Sequence, residues 1–289
     1  MQRGYLRTVW DDVKNSPGWF GKLALLSLVG LVPVFGWIVV YGYVFGWARD
    51  IAWNVHAPLP ARVLGNEDGR LYSRGFFALV IFAVCMLVPW AVELAWTVVT
   101  GASAASGLGR GGTFVLFGAA SFLFSLIIMA ARLFVSMLGY VGAMRMSIYG
   151  RLAPGFQLGR IWAMVRYDAG GLARILGMGV ALSVGASVAA GLLVGPVALA
   201  GMALLFGVGV PVVHTNDPTV LAFAAPALVV LGVALFAVIA MVAVMAGVFS
   251  LVMITRALGY WTRQFDVPSW GGQDDPLPFE RRATGGWQG

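Results

Sequence analysis

Glu93 and Arg132 are the two ionisable residues that interrupt long apolar runs, in VELAW and MAARLFV. At membrane depth such residues mark ion or proton paths when they face a cavity or one another. His56 and His214 are the only histidines. They fall in separate polar connectors predicted to lie on opposite faces of a membrane, so one chain offers no two-histidine metal site. Asp217 beside His214 in HTNDPT fits a local polar turn. GLGRGG, residues 107 to 112, has the glycines of a phosphate loop, but it follows an Ala/Ser run instead of a strand and reads as a flexible linker. The chain contains no HExxH, GxSxG or GxxxxGK pattern. Cys85 is the single cysteine, inside an apolar run, so an intramolecular disulfide or a cysteine cluster is excluded. No cofactor, no metal and no enzymatic activity are expected from these residues.

The elements that carry them are membrane elements. Hydrophobic residues make up 60% of the chain and charged residues 11%, against roughly 45 to 50% and about 25% in soluble domains. The apolar runs exceed the roughly 20 residues that cross a bilayer. The fold class expected is therefore an all-α, polytopic transmembrane bundle in the plasma membrane. The start of the chain, with Asp11, Asp12 and no small-residue cleavage site, does not read as a removed signal peptide.

Orientation follows from the 19 lysines and arginines. They cluster at Arg3, Arg7, Lys14 and Lys22; at Arg49, Arg62, Arg70 and Arg74; at Arg145, Arg151, Arg160, Arg166 and Arg174; and at Arg256, Arg263, Arg281 and Arg282. Cations are retained on the cytoplasmic side during insertion, so all four clusters and both termini are expected inside, with the Arg110 connector outside. A net charge of +7 distributed in this way points to anionic lipid and excludes nucleic acid as the partner. Arg49, Arg145, Arg151, Arg160 and Arg166 are the candidate contacts to lipid or to another membrane protein.

The crossings divide the chain into an interfacial amphipathic helix over 1–18, a transmembrane domain over 19–265 and a disordered polar tail over 266–289. About six apolar segments are expected, near 19–48, 75–100, 113–149, 172–194, 196–212 and 220–258. The first has cations at both ends and Pro33 near its middle, which predicts two half-helices that enter and leave from the cytoplasm. The last is too long for one comfortable crossing, about 58 Å as a straight helix, so it must bend, extend or double back. Gly177, Ala181, Gly185 and Ala189, followed by Gly191 and Gly195, predict close helix packing inside the chain, with a homo-oligomer contact as the alternative. In FQLGRIWAMVRYD, Leu158, Ile161, Trp162 and Val165 form an apolar stripe, which predicts a second interfacial helix or one packed on the bundle. Counting inward from outer helix ends near 100 and 113 puts Glu93 and Arg132 about 17 Å apart in depth, beyond pairing, each near a headgroup layer.

The strings DDVKNSPGWFGKL, VPVFGWIVVYGYVFGWARDIAW, NEDGRLYSRGF, AMRMSIYGRLAPGFQLGRI and RALGYWTRQF resemble the domain-of-unknown-function family numbered 4013, over about residues 5 to 266. Gly42-Tyr43 followed by Arg49, then Pro58-Leu59-Pro60, Gly75-Phe76 and Gly155-Phe156 carry the resemblance most specifically. It implies a bacterial integral membrane protein and supplies no catalytic residues. The function expected is a non-enzymatic scaffold or accessory component that contacts anionic lipid or an envelope protein. A small-solute transporter or channel subunit is the alternative, and an intramembrane enzyme comes third.

Overall fold

The structure, a computed structural model, describes residues 4–105, 112–204 and 218–285. Arg3, Arg110, His214 and Asp217, with most of the GLGRGG and HTNDPT connectors, lie outside the described residues. Every regular element among those described is helical: α1 (Tyr5–Lys14), α2 (Trp19–Gly30), α3 (Phe35–Ala52), α4 (Leu71–Ala105), α5 (Gly112–Tyr149), a 3-10 turn at Ala153–Phe156, α6 (Leu158–Tyr167), α7 (Ala169–Leu204), α8 (Pro218–Arg263), a second 3-10 turn at Val267–Ser269, and α9 (Pro278–Gly285).

Four helices, α4, α5, α7 and α8, contain stretches long and apolar enough to cross a membrane. The expectation of about six segments is corrected in one place. Segments 172–194 and 196–212 are not separated at Gly195-Pro196, because α7 runs through Pro196 to Leu204. An interior proline costs about 3 kcal/mol, but ending a helix in apolar surroundings would strand several amides and carbonyls, so continuing is the cheaper solution. The long last segment extends: α8 is one helix of 46 residues with Pro226 inside it, about 69 Å long.

The first segment does break at Pro33. Phe35 N–H donates to the Pro33 carbonyl at 2.7 Å, and Val34 between them takes a φ of 61°. A β-branched residue in this tight three-residue turn is strained. The turn and its flanks, Leu31, Val32, Val34 and Phe35, are exposed.

α3 is the centre of the molecule. Val39, Val40, Val44, Phe45, Ala48, Ile51 and Ala52 have no exposed surface. Two glycines let α4 cross it backbone to backbone: a methyl group added at Gly75 would overlap the carbonyl of Ile38, and one at Gly42 that of Leu71. α8 runs alongside, with Gly259 against Ala48. Farther along the long helices the packing is only pairwise. Trp96 stacks on Phe124 and Phe82 meets Tyr140 edge-on, which sets the antiparallel register of α4 on α5. Leu87, Val88, Leu94, Phe122, Ile127, Leu192, Val230 and Phe236 are exposed, as lipid-facing residues would be.

Among the described residues the glycines of the α7 small-residue stripe pack against nothing. A Cβ added at Gly177, Gly185, Gly191 or Gly195 would meet nothing among the described residues within 4 Å, whereas Gly179, on the opposite side, lies against Ile254. The spacing is right for packing, but the α8 contact selects the other face of the helix. The tail is corrected as well. Val267 and Leu277 are buried, Trp270 stacks on Tyr149, and Phe279 packs on Tyr167 and Phe265, so residues 266–281 cover the end of the bundle. Two aromatic side chains, Trp270 and Phe279, hold this polar sequence there.

Candidate functional site

The connector between α3 and α4 folds back under α3. Leu59 is buried, its N–H donates to Ser16 Oγ at 2.9 Å, and its carbonyl accepts from Lys22 Nζ at 2.9 Å. Tyr43 donates to the Pro60 carbonyl and Trp47 Nε1 to that of Ala57. α3 ends at Ala52, before the prolines, and its aromatic donors satisfy the connector carbonyls of Ala57 and Pro60.

This arrangement leaves a polar cleft of about 150 Å³ between α3, the connector and the start of α4. Gly42, Gly46, Tyr43 and Pro60 form its walls, and Arg49, Arg62, Arg74, Asp50, Glu67 and Asp68 bring three positive and three negative groups to it. Arg74 is buried; it pairs with Asp68 and donates through Nη1 to the Gly42 carbonyl at 3.2 Å, in space that a side chain at Gly46 would fill. Arg49 lies between Asp50 at 3.4 Å and Asp68 at 3.5 Å. Asn66 accepts from Leu71 N–H and Asp68 from Arg70 N–H, which caps α4 and puts negative charge at its positive end. The charges are matched, and no nucleophile with a base stands among them. The chemistry available is recognition of a small polar group.

Burial pushes the Asp68 carboxyl up, but the hydrogen bond and charge of Arg74, the Arg70 amide and the charge of Arg49 hold it below the usual range. A depressed carboxyl pKa contributes stability above the unfolded value, near about 3.9, and loses it as pH falls through the folded value. The stability difference between the parent chain and Asp68→Asn is therefore expected to shrink below about pH 4 in detergent melting curves. A constant difference down to the lowest pH would show that the ion pair does not set it.

A second polar centre ties α1 to the core. Arg256 is buried on α8; its Nε donates to Asp12 at 2.8 Å, its Nη1 to the Trp47 carbonyl at 2.9 Å, and its guanidinium lies 4.1 Å from the Trp47 ring centre. Tyr260 donates to the same Asp12 oxygen at 2.8 Å. Sequence reading gave Asp12 no site role. Its position at the border of the buried Val9 and Val13 face of an amphipathic helix was the available signal, but nothing local points to residue 256.

The candidate lipid contacts separate into two groups. Arg145 has no exposed surface: it donates to the Pro154 and Gln273 carbonyls and to Gln157, between the rings of Tyr149 and Trp270. It is no lipid contact, because it shares a helix face with buried Val141. Arg49 is ion-paired in the cleft, and Arg160 is held by Glu280 at 2.8 Å and the Asp274 carbonyl. Arg151 and Arg166 are exposed and form no ion pair among the described residues. They flank the outer face of α6, where Leu158 and Trp162 are exposed while Ile161, Met164 and Val165 face the bundle. The predicted stripe is thus divided between the core and the surface. His56 meets Arg263 at 3.2 Å, and no group of three metal-ligating residues exists among the described residues.

The expected separation of Glu93 and Arg132 is overturned: they form an ion pair. The register set by Trp96 with Phe124 and Phe82 with Tyr140 puts position 93 opposite 127 to 129, so Arg132 is only about one turn away. α4 continues to Ala105, beyond the helix end near 100 assumed from sequence, which moves the register by about two turns. Side chains lean toward the N-terminus of their own helix, so on antiparallel helices these two lean toward each other.

A chain whose regular elements are all helical among the described residues, with four such helices there, is a multi-pass integral membrane protein. Residues 25–195 match a family model, and the chain belongs to that family, described as a protein of unknown function (DUF4013). No curated protein and no solved structure matches the chain. The matched stretch includes the α3–α4 crossing and the whole cleft, and it is narrower than the resemblance over 5 to 266.

Proposed function

We propose that this protein is a non-enzymatic, multi-pass component of the plasma membrane whose basic inner face holds anionic lipid headgroups. The outer face of α6 carries the reading: Leu158, Trp162 and Arg166 follow one another at four-residue intervals, exposed, with Arg151 nearby. An apolar and aromatic body with free cations is what a headgroup layer favours. In this reading both termini and all four basic clusters are cytoplasmic, and α2 with α3 is a hairpin that enters from that side.

Each arginine near an anionic surface contributes about 1 kcal/mol, so Arg151→Gln with Arg166→Gln is expected to weaken binding of phosphatidylglycerol by roughly 2 kcal/mol, or about 30-fold. Lipid titration followed by native mass spectrometry measures this in detergent. Equal binding of phosphatidylcholine, or no change in the double variant, would end the proposal. A maleimide that reaches Leu64→Cys, in a Cys85→Ser background, from outside intact cells would overturn the orientation.

Transport of a small polar solute is the second reading, favoured by the strained break at Val34 and the charge-lined cleft behind it. Uptake into proteoliposomes tests it, and activity that survives Arg74→Met would exclude the cleft as its path.

A further inference from the structure

We propose that the Glu93 and Arg132 face of the α4/α5 hairpin is a self-association surface, and that its occupant is a second copy of this chain. The pair lies within the two apolar stretches Leu71–Ala102 and Gly118–Tyr149, with side chains 44% and 38% exposed. Arg132 is about 2 Å along its helix from the middle of that stretch, and Glu93 about 10 Å from the middle of its own. The residues around it, Trp90, Leu94, Met129 and Leu133, are exposed and apolar.

Neither charge is fully satisfied. Among the described residues Arg132 donates only to Glu93, and the carboxylate has no other donor. A guanidinium has five donors and a carboxylate about four acceptor positions, and hydrocarbon satisfies none of the remainder. Hydrocarbon extends about 15 Å on either side of the bilayer middle, so Glu93 lies about 5 Å inside its edge and Arg132 deeper.

A copy of the chain inserted in the same orientation brings the same carboxylate and guanidinium to the same depth. A two-fold axis along the membrane normal then sets each Glu93 against the Arg132 of the other copy, and the two ion pairs close into a four-charge ring. The surface is self-complementary in charge, whereas an unrelated protein would need a matched pair at that depth. Thr97, one turn from Glu93 on the same face, and Ser125 on α5 are small and let the backbones approach. The surface is distinct from the outer face of α6 and does not depend on the lipid reading.

Crosslinking in native membranes tests this, in a Cys85→Ser background. Thr97→Cys is expected to give a dimer-sized product, and Ala95→Cys, on the opposite side of α4, to give about tenfold less. Replacing both charges, Glu93→Ala with Arg132→Ala, leaves no lone charge and is expected to lower the Thr97→Cys product about tenfold. The exchange Glu93→Arg with Arg132→Glu keeps the pair within each chain and is expected to restore the dimer. Mixed with the parent chain it should segregate, because like charges then face each other across the axis. Product from both faces, persistence in the double alanine variant, random mixing of parent and exchanged chains, or crosslinks only to a protein of different mass would each overturn the proposal.

Discussion

Gly75→Ala is expected to lower the stability of the purified protein by at least about 3 kcal/mol and to remove most of the folded chain from detergent extracts. The added methyl group would overlap the carbonyl of Ile38 and press on the backbone of Gly42, and neither is the end of a flexible side chain that can turn aside. α3 and α4 must separate for it to fit. Separation opens the contact of Gly42 with Leu71 and removes Arg74 from the Gly42 carbonyl. The control is Gly185→Ala on α7, where an added methyl group meets nothing within 4 Å. There the helix gains propensity of about 0.5 to 1 kcal/mol. Thermal unfolding monitored by size-exclusion fluorescence compares the two, and equal melting temperatures would refute the crossing geometry.

Arg256→Ala is expected to cost about 3 to 5 kcal/mol, because removing one partner of a buried pair leaves the other uncompensated. Asp12 would keep only Tyr260, and the face of Trp47 would lose the guanidinium 4.1 Å away. Arg256→Lys should recover little, since one ammonium cannot lie flat on the ring while donating both to Asp12 and to the Trp47 carbonyl. The paired change Arg256→Met with Asp12→Leu should recover much of the loss, as apolar replacements of buried ion pairs do. A double-mutant cycle on the melting curves gives the coupling. A coupling near zero would mean that α1 is held by Val9, Val13 and the Trp10 contacts alone.

The two sites explain the unequal construction of the molecule. The α3 region packs glycine against backbone and closes each buried arginine onto carbonyls, rings or a carboxylate. Farther out the long helices meet mainly in pairs and expose leucine, valine and phenylalanine.

What the sequence alone determined is what depends on transfer from water and on local backbone geometry. The excess of apolar residues required a membrane, Pro33 required a break, and the apolar run over 220–258 left one long helix among its outcomes. The candidate site was visible only as a set of arginines whose burial could not be assigned, because Arg74, Arg145 and Arg256 differ from Arg151 and Arg166 in their neighbours and not in their types. Tertiary structure decided which face of α7 packs, where the 266–281 stretch docks, and that Glu93 meets Arg132. The physical reason is register: a helix pair slides by whole turns at little local cost, and only contacts distant in sequence, Trp96 on Phe124 and Phe82 on Tyr140, select one position.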